Sequence, residues 1–115
     1  MGKHAVRFVA HRGWSRRFPE NSLPSLTAAV CVGADEIEFD LRLSKDGIPF
    51  LCHDHEVDRV STLSGPASSF TMSELEKADI RMPDGTILEG LGLARVDQVF
   101  QLFGGRVGMN IHIKD

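Results

Sequence analysis

One stretch of this sequence constrains the rest. At positions 36–41, acid and apolar side chains alternate without a break: Glu36, Ile37, Glu38, Phe39, Asp40, Leu41. Side chains alternate across a β-strand, so the acids share one face and the apolar residues the other. Taken alone, this is a half-buried strand with a solvated acidic face. Its surroundings offer a second reading. Residues 5–10 are β-branched and apolar, 21–32 have helical periodicity, and 36–43 and 48–52 read as strands. Further on, Thr71-Met72-Ser73-Glu74 is a capping box, 95–103 reads as a helix and 107–114 as a strand. Strands alternating with helices predict a parallel sheet, covered on both faces. Buried carboxylates then need a cation or hydrogen-bond partners. Two of them two residues apart suit Mg²⁺ or Ca²⁺, which prefer oxygen ligands.

The punctuation between elements is consistent with this pattern. Asn21 or Ser22 can cap the first helix, Pro24 fits its first turn and Gly33 its stop. Ser44-Lys45-Asp46-Gly47 is turn chemistry, and Pro49 sits near a strand start, where proline is tolerated. Residues 54–70 read as a polar connection broken at Gly65-Pro66, and 81–92 as a loop turning at Pro83-Asp84-Gly85. Val96, Val99, Phe100 and Phe103 fall at helical spacing, and Gly104-Gly105 ends that helix. The chain has 115 residues. A complete α/β barrel needs about 250. The expected architecture is therefore α/β, about four parallel strands with intervening helices, equivalent to half a barrel. Such a half leaves sheet edges uncovered, so self-association into a homo-oligomer is expected.

Charge and hydropathy remove several functions. The formal net charge is −3 and basic residues cluster only at Arg12, Arg16 and Arg17, too few for a nucleic-acid footprint but enough for one phosphate. No apolar run approaches the ~20 residues of a membrane span. No apolar segment follows Met1-Gly2-Lys3-His4 as a secretory signal would require, and Val6 stands where a myristoylation site needs Ser or Thr. Cys31 and Cys52 do not make a disulfide framework and read as reduced core residues of a cytoplasmic protein.

Three of the five histidines sit late in strands: His11 closes the first, His53 the third, and His112 lies near the end of the fourth. Strand ends are where α/β barrels place their active sites. A lone histidine is more often structural, but a pair near carboxylates can serve as general acid and base. His4 and His55 read as bystanders, and Asp35, Glu56 and Glu76 as surface charges.

The ordered string His11-Arg12-Gly13, Pro19-Glu20-Asn21, Ile37-Glu38-Phe39-Asp40, Ser44-Lys45-Asp46-Gly47, His53-Asp54 resembles the glycerophosphodiester phosphodiesterase family. Asp58-Arg59, Ser64-Gly65 and Glu74-Leu75 continue the pattern, so the resemblance extends to Lys114. It implies the N-terminal half of a TIM (β/α)8 barrel, strands one to four, with a divalent cation at the mouth. It implies His11 and His53 as the acid–base pair, Glu38 and Asp40 as metal ligands, and Arg12 and Lys114 as phosphate contacts. Glu20 and Asn21 match the segment that braces the first histidine and lines the metal site, and Asp54 would orient His53. The implied substrate is a small glycerophosphodiester, cut to an alcohol and glycerol phosphate, with no nucleic-acid partner and no stable membrane insertion.

Two departures stand out. The family's glutamate in the pattern Glu-x-Lys is here His112, ahead of Ile113-Lys114. A neutral ligand removes one negative charge and shifts the expected cation from Mg²⁺ or Ca²⁺ toward Mn²⁺, Co²⁺ or Zn²⁺. A site that has lost its cation is the alternative, and retained binding is favoured. The family's Ile-Pro-Thr-Leu is here Leu93-Ala94-Arg95-Val96. Beside the enzyme reading stand two others: a catalytically silent half-barrel serving as an assembly module, and a phosphodiesterase of lysophospholipid type.

Overall fold

Strand β2 (Glu36–Leu43) is the axis of the sheet. One edge carries β6 (Gly108–Ile113) in parallel, from Gly108 opposite Glu36 to Ile113 opposite Leu41. The other carries β1 (Val9–His11), also parallel, with His11 opposite Glu38. Beyond β1 on that edge lies β3 (Pro49–Leu51), antiparallel, with Leu51 opposite Leu41. This computed structural model describes residues 8–114, so the part of the first predicted strand at 5–7, the start at 1–4 and its His4 lie outside the described residues.

The alternation predicts about four parallel strands, and the sheet instead has three parallel strands and one antiparallel strand. The reason is the length of the link. Residues 44–48 are too few for a parallel crossover, which needs a dozen or more, but they suit a hairpin. Ser44 N–H donates to the Ile48 carbonyl at 3.0 Å, Gly47 N–H donates to the Ser44 carbonyl at 2.9 Å, and Gly47 takes φ 78°.

Helix α1 (Leu23–Cys31) starts two residues later than the periodicity predicts, because Ser22 is its N-cap. Ser22 Oγ accepts from Ser25 N–H, and Ser25 Oγ accepts from Ser22 N–H. Helix α3 (Val96–Phe103) buries Val99 and Phe103, while Phe100, expected on the same face, is 47% exposed at its flank. Both helices supply the first core: Leu26, Ala29, Val99 and Phe103 pack with Ile37, Phe39, Ala10 and Leu51.

A second core lies in the excursion between β2 and α3. Phe50, Val57, Val60, Ala67, Met72, Leu75, Ile80 and Leu93 form it around helix α2 (Met72–Glu76). Thr71 and Glu74 cap that helix reciprocally, as the sequence predicts. The loop expected at 81–92 holds a small hairpin, β4 (Ile80–Arg81) against β5 (Ile87–Leu88). Strand β3 joins the two cores through its alternation. Leu51 faces the first, and Phe50 and Cys52 face the second.

Both cysteines are free, but only Cys52 is a core residue; Cys31 is exposed, at the last turn of α1. Burial pushes the Cys52 thiol up to about 12, which keeps it protonated and unreactive. Among the described residues no helix is long and apolar enough to cross a membrane.

Candidate active site

The acids of β2 are not a solvated face. Glu38 and Asp40 are 3% and 1% exposed, while Glu36 is half-buried. Their apolar neighbours Ile37 and Phe39 are fully buried on the opposite side, so alternation on a doubly covered strand drives two carboxylates inward. The surroundings only partly compensate them. Asn21 grips Asp40 twice: its Nδ2 donates to Oδ2 at 3.2 Å, and its Oδ1 accepts from the Asp40 N–H at 3.0 Å. Glu38 Oε1 accepts from the Arg12 N–H at 2.9 Å. The other oxygens, Glu38 Oε2 and Asp40 Oδ1, are buried without a hydrogen-bond donor. His112 Nδ1 lies 2.9 Å from Glu38 Oε2, off the line of a hydrogen bond, and 3.7 Å from Asp40 Oδ1.

Leaving a buried carboxylate oxygen unpaired costs about 1–3 kcal/mol or more. Two such oxygens facing one histidine make a donor set that a divalent cation would satisfy. Glu38, Asp40 and His112 each offer one ligand atom, and these atoms lie within 4.8 Å of one another. The two carboxylates admit Mg²⁺ or Ca²⁺, and the imidazole shifts the preference toward Mn²⁺, Co²⁺ or Zn²⁺.

The turn after β1 places His11 and Arg12. Arg12 adopts φ 57° and Asn21 φ 54°, the left-handed region that non-glycine residues avoid. The two strained residues hold each other, the Asn21 N–H donating to the Arg12 carbonyl at 2.9 Å. Gly13 lets the turn lie on α1, since a Cβ there would meet Ser25 Oγ at 2.4 Å. His11 presents Nδ1 to Glu38 Oε1 at 3.1 Å and is otherwise largely exposed.

His53 arrives by another route. The hairpin runs past the end of β2 and returns, and the Cys52 N–H donates to the Asp40 carbonyl at 3.0 Å. His53 is therefore brought to the mouth by an antiparallel return rather than by the end of a parallel strand. Arg42, on β2, fixes its carbonyl with Nε at 3.1 Å and Nη2 at 2.8 Å. Asp54 Oδ1 lies 2.8 Å from its Nδ1. Asp54 is held down to about 2, first by hydrogen bonds from Arg59 and then by His53, against the opposing effect of burial. It is thus an anion at neutral pH, and it favours the His53 tautomer with the proton on Nδ1 and the lone pair on Nε2.

The structure places every candidate residue around this centre. Arg12 sits between two carboxylates, Nη1 3.3 Å from Glu20 and Nε 3.5 Å from Asp40. Lys114 Nζ stands 3.8 Å from Asp40 Oδ1. Glu20 meets Arg59 in a fork-to-fork pair at 2.6 and 2.8 Å. Sequence reasoning gives no role to Arg59 or Arg42. Arg59 bridges Glu20 to Asp54, at 2.9 Å from Nε, and so ties the excursion to the first turn. Burial pattern does not reveal it, because Arg59 is half exposed; its only sequence signal is its place in the Asp58-Arg59 motif.

Comparisons with known proteins give the family and the fold. Residues 11–115 match the model of the glycerophosphoryl diester phosphodiesterase family. A glycerophosphodiester phosphodiesterase of Caldanaerobacter subterraneus is 37% identical over 107 residues, covering 92% of this chain and 44% of the relative. The crystal structure of a glycerophosphodiester phosphodiesterase from Agrobacterium tumefaciens superposes with a TM-score of 0.87 at 33% identity, over 96% of this chain and 48% of that one. An Oleispira antarctica phosphodiesterase in complex with the product sn-glycerol-3-phosphate superposes with a TM-score of 0.79 at 28% identity, over 95% and 44%. The chain thus spans about half the length of the relatives it matches.

Proposed function

The chain belongs to the glycerophosphoryl diester phosphodiesterase family, and we propose that it supplies the acid–base and cation-binding half of a site that hydrolyses glycerophosphodiesters to an alcohol and glycerol phosphate. In this reading it is the N-terminal half of the barrel domain. One observation carries it: His11 and His53 are each held at Nδ1 by a carboxylate, at 3.1 and 2.8 Å, beside two buried acids with unpaired oxygens. A histidine so held presents Nε2 to a substrate, as proton transfer needs.

Glu38, Asp40 and His112 would hold the divalent cation, which when bound polarises the phosphoryl oxygens and neutralises the charge that develops on them. Arg12 and Lys114 add positive charge at the rim for the diester phosphate. The attacking oxygen, from water or the glycerol hydroxyl, forms its bond to phosphorus as the bond to the departing alcohol breaks; attack by the glycerol hydroxyl leaves a cyclic phosphate, which a water then opens to glycerol phosphate. One histidine accepts the attacker's proton and the other donates a proton to the leaving oxygen. Asp54 keeps His53 in the useful tautomer, and Asn21 keeps Asp40 in place.

The test is turnover of soluble glycerophosphodiesters after EDTA and after Mg²⁺, Ca²⁺ or Mn²⁺ is restored, with His11→Ala and His53→Ala alongside. We expect chelation to abolish turnover and each substitution to lower kcat by roughly 10²–10⁴-fold with unchanged thermal unfolding. Turnover indifferent to chelation, or near-normal in both variants, sinks the reading. Cleavage of lipid dispersions alone would move the substrate class to lysophospholipids.

The outer edges of β1 and β6 are unpaired in the sheet among the described residues, and Ile113 is 76% exposed. We therefore expect self-association that covers them; a monomer in sedimentation at high micromolar concentration would contradict this. The free cysteines suit a reducing compartment, and we place the protein in the cytoplasm. Cell fractionation that recovers it elsewhere overturns the placement.

A further inference from the structure

A cavity of about 340 Å³ is lined by Ser15, Glu20, Arg59, Val60, Arg81, Met82 and Pro83. It touches both histidine-bearing segments. Ser15 Oγ donates to the His11 carbonyl at 3.3 Å. Arg59 holds Asp54, which holds the His53 ring. The cavity shares Glu20 and Arg59 with the ion-pair network that joins Arg12 to Asp54, so a group attached to a phosphate bound at Arg12 would extend toward it, and the volume suits a small polar headgroup.

The charges in it do not cancel. Glu20 is neutralised by Arg12 and Arg59 together, and Arg59 is shared with Asp54. Arg81 remains. Its backbone N–H donates to the Val60 carbonyl at 3.0 Å and its Nε to the Ser61 carbonyl at 3.1 Å, which fixes the root of the guanidinium. Its two terminal nitrogens have no partner among the described residues. No aromatic side chain lines the cavity. Trp14, nearby in sequence, does not line it and carries the Arg17 guanidinium over one face at 5.9 Å. A quaternary ammonium is recognised by aromatic faces, whereas a fixed arginine fork with free N–H groups recognises a carboxylate or phosphate.

We propose that this cavity is the headgroup subsite, and that Arg81 makes it select glycerophosphodiesters whose alcohol carries an anionic group, a carboxylate or second phosphate, over choline or ethanolamine. This rests on the phosphodiesterase reading above. Arg81 is a specificity residue that meets the alcohol away from the reacting phosphorus, so its effect belongs in KM more than in kcat.

Glycerophosphoserine and glycerophosphoethanolamine differ by one carboxylate, and their ratio of kcat/KM reads the contact directly. We expect the parent protein to prefer the serine diester about tenfold, as for a charge-assisted but solvent-accessible pair. Arg81→Gln should remove most of that preference through KM, Arg81→Glu should invert it, and Arg81→Lys should restore part. A parent ratio near one, or a ratio unchanged in Arg81→Gln, overturns the proposal while leaving the enzyme reading intact. If neither diester turns over, the arginine Nε–Hε resonances still report. A shift of the Arg81 signal with the serine diester but not the ethanolamine diester supports the subsite although the reaction has failed. The same signal unmoved by both overturns the subsite.

Discussion

The buried acids of β2 and the histidine of the excursion reach one site by different physics. Glu38 and Asp40 are fixed by backbone pairing on both edges of a central strand, opposite His11 and Asn110 for the first and His112 for the second. Moving either acid means breaking a ladder. His53 hangs from a hairpin and from a region of short elements with its own core. What holds it at the mouth is a set of side-chain bonds: Arg42 to its carbonyl, Asp54 to its ring, and Arg59 from Asp54 across to Glu20. In the proposed mechanism such a site has a rigid half that binds charge and an adjustable half that positions a proton donor or acceptor. Lesions in the rigid half should be all-or-none, and lesions in the clamp graded.

The largest effect should come from the rigid half. Glu38→Gln with Asp40→Asn keeps shape and removes the anions. We expect turnover to fall by at least about 10³-fold, in line with loss of a metal-dependent site. The parent protein should also gain stability from cation, about 2.7 kcal/mol at a hundredfold excess over Kd, while the double variant gains none. Thermal melts in Mn²⁺ and in EDTA measure this without any assay of activity. Equal melting gains in both proteins would place the cation elsewhere and dissolve the distinction between the halves.

A smaller effect should come from the clamp. Arg59→Ala releases Asp54 and Glu20 together but leaves β2 and its ligands in place. We expect kcat to drop about tenfold with cation affinity unchanged, because the loss is one of orientation. Arg59→Lys should recover little, since one ammonium cannot span two carboxylates as a planar fork does. A loss of cation affinity as large as that of turnover would show that the two halves are not separable.

The same contrast explains what the sequence made legible. Period-two alternation put Glu38 and Asp40 on one face, and the capping residues of α1 and α2 were readable, because each signal is local. The direction of β3 does not follow from the alternation but from Ser44-Lys45-Asp46-Gly47: a link this short specifies a hairpin more firmly than the surrounding alternation specifies a parallel strand. The second core has no sequence signal, because Val57, Val60 and Ala67 are scattered among polar residues with no period. The clamp at Arg59 is not legible either, because its partners are 39 and 5 residues away and no local pattern encodes such a bridge.

The smallest effect separates the charge of Asp54 from its shape. Its pKa falls from the ordinary 3.8 to about 2 on folding, chiefly through Arg59. A depressed carboxylate contributes stability above its unfolded pKa, and loses it as pH falls through the folded one. The Asp54 contribution should therefore be complete above about pH 4 and fade toward pH 2. Asp46, Asp58, Glu74 and Asp84 are also lowered, so acid destabilises the whole chain. Their effects cancel when the parent is compared with Asp54→Asn at each pH. We expect denaturant unfolding to show a modest gap at pH 5, limited by the exposure of the clamp, that closes by about pH 2. A gap that persists at pH 2 would mean that Asp54 acts through packing or a neutral hydrogen bond. The tautomer it imposes on His53 would then not depend on its charge, and the excursion would be as rigid as the sheet it meets.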